Sequence, residues 1–122
     1  MMHAQQYDMV NNMAELVQKK CVACEGFETP LVREEAVILL RQLREWQLSD
    51  DAKSISKEFT FKNFAEALAF ANKVGAIAED EGHHPDLAVS WGTVGVFLTT
   101  HAINGLSEND FIVAAKIDQL NP

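Results

Sequence analysis

Apolar and polar residues alternate along the stretch from Asp86 to Thr99. Leu87, Val89 and Trp91 alternate with Asp86, Ala88 and Ser90; Val94, Val96 and Leu98 alternate with Gly95, Phe97 and Thr99. Alternation at period two predicts two half-buried strands. Gly92-Thr93 lies between the runs, and Gly in the first of two loop positions suits a type II′ hairpin turn. With that loop, Trp91 faces Val94. Each step back along one strand then matches a step forward on the other, which sets His84 opposite His101.

Elsewhere the apolar spacing is helical. A helix is predicted from about Arg33 to Leu43, with Val37, Leu40 and Leu43 inward and Glu34, Glu35, Arg41 and Arg44 outward. Thr29-Pro30 offers a cap followed by proline, while Val32, just before the charged run, is a poor cap. Trp46 to Leu48 reads as a short strand, Ser49-Asp50-Asp51 as a turn, and Ser54 to Phe61 as a longer strand of imperfect alternation. Lys57 and Glu58 mark that strand as an exposed edge. Asn63 caps the next helix, with Glu66 three residues on as a capping box. Its apolar face is Phe64, Leu68, Ala71, Val74, Gly75 and Ala78. Gly82 ends it and Pro85 blocks its continuation. After the hairpin, Ala102 to Leu106 is a loop, and Ser107 caps a last helix from Glu108 to about Leu120. Met13 to Lys20 forms a short helical turn with Met13, Leu16 and Val17 on one side. Residues 1–12 are polar and without period, a flexible arm; 13–122 form a single domain. The order α-β-β-α-β-β-α implies an α+β fold: a four-stranded antiparallel sheet with three helices packed on one face.

This arrangement gathers chemistry. Three of the four histidines, His83, His84 and His101, fall just outside the two ends of the hairpin. Imidazole exchanges protons near neutral pH, so a proton-transfer site at the sheet edge is the first reading. A metal site is the second, since imidazole suits zinc and other transition metals; solvated strand ends are the third. Glu79, Asp80 and Glu81 oppose the macrodipole at a helix C-terminus. They are either a solvated acidic patch or contain a member of the histidine site. Asp110 sits at the reciprocal position of the Ser107 capping box, and capping alone accounts for it. The functional alternative is that it orients an imidazole. Trp91, at the turn end of the hairpin, is expected to serve in packing. Cys21 and Cys24 form Cys-Val-Ala-Cys without a second pair. A reduced pair of local structural use, a disulfide and half of a metal site all stay open.

Composition narrows the partners. The formal net charge is −8, which argues against nucleic acid and against an anionic membrane surface. A neutral or nearly neutral small molecule fits best. At 48% hydrophobic residues the chain can bury a core without staples. No apolar run is long enough to span a bilayer, and Met1 to Lys20 lacks the layout of a signal peptide. The expected location is cytoplasmic.

Glu79, His83-His84-Pro85, Trp91, His101 and Asp110 resemble the motif of the pterin-4a-carbinolamine dehydratases in every position and in register. That motif is an acidic or similar residue, three of any kind, His-His-Pro, a short spacer, an aromatic, nine residues, His, a longer spacer and Asp. Thr100-His101 and Gly105-Leu106-Ser107 are also similar to the family, and Lys20 to Gly26 resembles its bacterial members. The likeness runs from about residue 13 to the end. Three positions depart: Gly82 where many members carry Asp, Asn109 where some carry Arg, and Val32 in place of a common helix cap.

The resemblance implies a reaction: a 4a-hydroxytetrahydropterin loses water and becomes a quinonoid dihydropterin, recycling the cofactor of an aromatic amino-acid hydroxylase. It implies His83 and His101 as the proton-transfer pair and His84 as mainly substrate-positioning within the catalytic set. Asp110 would hold an imidazole tautomer, Glu79 would contact the substrate ring or a histidine, and Pro85 would contact substrate. Pterin is the substrate; no metal and no cofactor is implied. A homodimer or homotetramer is implied as well. Two alternatives accompany this reading: a protein-binding regulator of the kind that serves as dimerisation cofactor to a homeodomain transcription factor, and a homologue acting on another pterin, such as in molybdopterin metabolism.

Overall fold

The computed structural model describes residues 15–23, 26 and 28–120. The expected flexible arm, residues 1–12, lies outside them, as do Met13 and Cys24. The elements are α1 (Arg33–Leu40), β1 (Gln47–Leu48), β2 (Ile55–Thr60), α2 (Phe64–Glu81), β3 (Asp86–Val89), β4 (Thr93–Leu98) and α3 (Glu108–Asp118). A short 3-10 turn, His101–Ile103, follows β4, and residues 15–18 are helical. The strands form one antiparallel sheet in the order β1-β2-β4-β3. This is the α+β architecture expected from the pattern.

Side chains alternate across the sheet as the strand period requires. Ile55 and Phe59 of β2 and Val94, Val96 and Leu98 of β4 are buried. They pack with Phe70 and Val74 of α2 and with the whole run from Phe111 to Ala115 in α3. Trp46, Phe59, Phe70 and Phe61 form a chain of ring contacts, with centroids 4.7 to 6.3 Å apart. Each such pair adds roughly 0.5–1.5 kcal/mol beyond area burial. One polar network sits within this layer. Asp118, at the end of α3, accepts from Trp46 Nε1 at 3.0 Å, Lys57 Nζ at 2.9 Å and the Arg44 backbone N–H at 3.2 Å.

Several expectations change. By strand order the strand around Lys57 is internal: β2 lies between β1 and β4, and β1 and β3 are the two edges. Strand order is a non-local property that local polarity did not reveal. Lys57 itself points to the helix side, where Asp118 holds its ammonium and its charge lies over the Phe59 ring. Because β1 is two residues long, it pairs with only Ile55 and Ser56, and the rest of β2 is uncovered on that side. In α1 the buried residue is Ala36, not Val37, and the helix ends three residues early, although Leu43 is still buried. Phe64 and Leu68 are exposed: the buried stripe of α2 is Ala67, Phe70, Ala71, Val74 and Ala78, turned away from them.

The hairpin register also differs. Val89 pairs with Val94 and Asp86 with Phe97, a shift of two residues from the predicted pairing. The two-residue loop is Trp91-Gly92, closed by the Ser90 N–H donating to the Thr93 carbonyl at 2.8 Å. Neither Trp91 nor Gly92 has a positive φ, so no primed turn is made. Space selects it instead: a Cβ there would sit 3.1 Å from the Phe61 carbonyl oxygen. A shift of two leaves every side chain on its expected face; Val94, Val96 and Leu98 are buried as expected, but Leu87 and Val89 are exposed, because β3 is an edge strand and none of its residues is buried. Trp91 is 68% exposed, not packed in the core.

Candidate active site

The cleft is built where α2 ends, β4 ends and α3 begins. At Gly82 the backbone enters the left-handed region (φ 66°), a conformation that glycine adopts without steric cost. The chain turns sharply there, and His83 and His84 come off the turn before β3 begins. Pro85 has no N–H to add to a helix. On the other side, Thr100 forms an isolated bridge with Gly105, and the intervening loop closes as the 3-10 turn that carries His101. The result is a cleft of about 270 Å³ lined by His83, His84, His101, Thr99, Thr100 and Asn109, with Val22 and Ala23 from the N-terminal segment. The histidines do not face one another across a ladder, since the strands stop at Asp86 and Leu98. They converge all the same.

Asp110 is fully buried and divides its two oxygens between two tasks. Oδ1 lies 2.6 Å from His83 Nε2. Oδ2 accepts from the Ser107 backbone N–H at 3.0 Å and from Thr100 Oγ1 at 2.8 Å. Cap and imidazole orienter were alternatives in the sequence; the structure makes both contacts with one carboxylate. A carboxylate only accepts, so His83 Nε2 carries a proton in this contact. That leaves Nδ1 as the nitrogen that can take one up. Burial of the pair, with the His83 side chain 12% exposed, keeps water from competing for the contact.

The three carboxylates at the end of α2 have different fates. Glu79 Oε2 lies 2.5 Å from His84 Nε2, both side chains being exposed. Asp80 pairs with Lys20 at 3.3 Å. Glu81 is buried, ion-paired with Lys116, and accepts the Cys21 backbone N–H at 2.9 Å. Burial pushes the Glu81 carboxyl upward, but Lys116 and the Cys21 N–H outweigh it and hold the group below the usual carboxylate range. The expected acidic patch is therefore a paired set, of which Glu79 touches the histidine site. Cys21 is a free thiol pushed up to about 12, first by burial and then by the Glu81 charge. The three readings of the Cys21–Cys24 pair turn on Cys24, which lies outside the described residues.

Sequence reasoning overlooked Thr100, Asn109, Val22 and Ala23 as parts of this region. Thr100 was visible only as a neighbour of His101. Asn109 stood out only as a departure from the family pattern. Pro85 follows the histidines directly but is not among the residues lining the cleft. Among the described residues, no three His, Cys, Asp or Glu side chains are grouped so as to hold a metal ion, and no helix is long and apolar enough to cross a membrane.

The chain is similar to known proteins over most of its length. The family described as pterin 4 alpha carbinolamine dehydratase matches residues 29–120. A relative from Methylococcus capsulatus, provisionally named a pterin-4-alpha-carbinolamine dehydratase, is 51% identical over 105 residues, covering 86% of this chain and 92% of its own. A similarly named relative from Rickettsia canadensis is 51% identical over 107 residues, covering 87% and 97%. Among solved structures, a Brucella melitensis protein described as a transcriptional coactivator/pterin dehydratase superposes with a TM-score of 0.73 at 33% identity. The match covers 77% of this chain and all of that one.

Proposed function

Because the chain belongs to the pterin-4a-carbinolamine dehydratase family, we propose that its cleft dehydrates a 4a-hydroxytetrahydropterin by histidine acid–base catalysis. The observation that carries the reading is the 2.6 Å contact between His83 and the buried Asp110, inside a cleft that also holds His84 and His101. In the reaction the C4a–O bond breaks. A proton added to that oxygen lets it leave as water, because hydroxide alone is a poor leaving group. A ring N–H proton departs as the C=N bond forms, giving the quinonoid dihydropterin. Protons in and out balance, and no electrons are exchanged with a further reagent. His83, with Asp110 fixing its Nε2–H, acts as the base. His101 acts as the acid. His84, held by Glu79, positions the substrate, and Pro85 sets the angle at which both histidines leave the turn. No metal or cofactor enters this scheme; pterin is the substrate.

The same reading gives the protein a place beside an aromatic amino-acid hydroxylase in the cytoplasm, returning its oxidised pterin to use. It also gives a homodimer or homotetramer, whose contacts would cover β3 and the open stretch of β2, since an uncovered strand edge invites pairing. A protein-binding regulatory role is the second reading; the dual description of the Brucella relative is the observation in its favour.

The test is the decay of 4a-hydroxypterin absorbance with and without the protein. Wild type should accelerate it, and His83→Ala and His101→Ala should each lower turnover by about 10²-fold or more. His84→Ala should mainly raise KM. A double His83→Ala/His101→Ala variant with wild-type turnover would place the proton-transfer site elsewhere. A wild type without effect would favour the regulatory reading.

A further inference from the structure

The N-terminal segment is fastened to the site by contacts that the histidine chemistry does not use. Lys19 pairs with Glu108 at 2.6 Å, Lys20 with Asp80, and the Cys21 N–H with Glu81. At Val22 the fastening becomes specific. Asn109 Oδ1 accepts the Val22 N–H at 3.1 Å, and Asn109 Nδ2 donates to the Val22 carbonyl at 2.7 Å. The carboxamide therefore satisfies both backbone groups of one residue, as a neighbouring strand would. Asn109 is itself buried, and its backbone carbonyl accepts from Cys21 Sγ at 3.6 Å.

The clamp holds a side chain that gains nothing by itself. Val22 is 72% exposed, and an isolated apolar side chain in water contributes little to the fold. Yet Val22 and Ala23 line the cleft with the three histidines. Apart from Ala102 and Gly82, the remaining lining residues are polar. A flat heteroaromatic ring needs apolar surface against its face and polar groups at its edge, and this segment supplies the larger apolar part, with Val22 its one branched side chain.

We propose that residues 22–23 are the apolar wall of the pterin site and that Asn109 is a positioning residue, setting that wall against the histidines. The proposal rests on the pterin reading and adds a specificity element to it. Asn109 stands next to Asp110, so α3 begins with two consecutive side chains facing different tasks: one fastens the wall, the other the imidazole.

The test compares Val22→Ala, Asn109→Ala, Asn109→Gln and Val22→Ala/Asn109→Ala by steady-state dehydratase kinetics, with 7,8-dihydrobiopterin binding measured in parallel. Val22→Ala should raise KM and the Kd for dihydrobiopterin about four- to fifteen-fold, the scale of one or two lost methyl contacts, with kcat held within about two-fold. Asn109→Ala should do the same without changing the pH profile of kcat. Asn109→Gln, which retains the carboxamide, should recover part of the loss. The double variant should be no worse than the worse single one, since both act through one wall. Unchanged KM and Kd in Val22→Ala, a variant at an exposed position that keeps its fold, would overturn the proposal and leave the dehydratase reading intact. Loss of kcat with a shifted pH profile in Asn109→Ala would also overturn it, by assigning Asn109 to the proton-transfer machinery. If wild type binds dihydrobiopterin without turnover and the variants weaken that binding, the wall stands and the dehydratase reading falls. If wild type neither turns over nor binds, both fall.

Discussion

Asp110→Asn isolates the carboxylate's contribution at the smallest structural cost. The carboxamide oxygen can occupy the place of Oδ2, where it still accepts from Ser107 N–H and Thr100 Oγ1. These become neutral bonds rather than charge-assisted ones, a loss of about 1 kcal/mol. Removing a buried charge offsets part of that. The net destabilisation should be on the order of 1 kcal/mol, lowering Tm by about 4 °C in a domain of this size. At the other oxygen the change is qualitative. An NH₂ group now stands 2.6 Å from His83 Nε2, so it donates where Oδ1 accepted. His83 must then take its proton on Nδ1, and the nitrogen assigned to accept the substrate proton is occupied. A tautomer reversed in this way in an unrelated Ser-His-Asp triad costs about 10⁴ in turnover; here a fall of about 10² to 10⁴ is expected. Turnover by absorbance and Tm by calorimetry on the same sample separate the two effects. Asp110→Ala would not, since it removes the acceptor of three donors, His83 Nε2–H, Ser107 N–H and Thr100 Oγ1–H, and a buried donor left unsatisfied costs about 1–3 kcal/mol. If Asp110→Asn keeps turnover within threefold of wild type, whatever its Tm, the carboxylate serves the helix alone and the assignment of His83 as base is wrong.

Further expectations follow from neighbouring contacts. Thr100→Val removes one of the two donors to Asp110 Oδ2; it should cost about 1–3 kcal/mol and lower turnover, and an unchanged urea midpoint would refute the contact. Glu81 binds protons more weakly in the fold than in the unfolded chain. Its stabilisation is therefore present above the unfolded-state carboxylate pKa of about 4.3 and lost as pH falls through the lower folded value. Glu81→Gln should flatten the fall of Tm on acidification below about pH 5, and identical acid slopes in the two proteins would refute this. With its thiol pushed up to about 12, Cys21 should react with iodoacetamide at pH 8 at least about a hundredfold more slowly in folded Cys24→Ser protein than in the same chain in denaturant; equal rates would count against burial. Sedimentation at micromolar concentration should show a dimer or tetramer, and a monomer would leave the uncovered stretch of β2 without a partner.

Local rules carried the helix ends well. Asn63 accepts the Glu66 N–H at 2.9 Å as its position implied, although Glu66 returns to the Lys62 N–H rather than to Asn63. Gly82 and the Ser107–Asp110 box also lie where short-range spacing put them. What failed was set by distant partners. In the observed register Gly92 lies against the Phe61 backbone, whose N–H donates to the Gly92 carbonyl at 2.7 Å, a contact that no turn rule contains. The edge strand depended on which strands neighbour which. Phe64 and Leu68 match the apolar period of α2 but face away from its buried side, because helical periodicity finds a stripe without saying what covers it. In the site, the histidines and Asp110 were legible because proton chemistry restricts the residue types that can do it. Asn109, Thr100 and Val22 were not, because their parts depend on contacts: 87 residues separate Asn109 from Val22.

The β3–β4 hairpin has a thermodynamic consequence for the cleft. His83 and His101 are eighteen positions apart, and drawing the ends of a flexible loop of that length together would cost roughly 2–3 kcal/mol in chain entropy. If that ordering happened when substrate arrived, affinity would fall by about two powers of ten. Here the strands close the loop during folding, through backbone hydrogen bonds and the burial of Val94, Val96 and Leu98, whether or not anything occupies the cleft. The imidazoles are thus brought together in advance of any ligand, and binding energy remains available for the reaction itself.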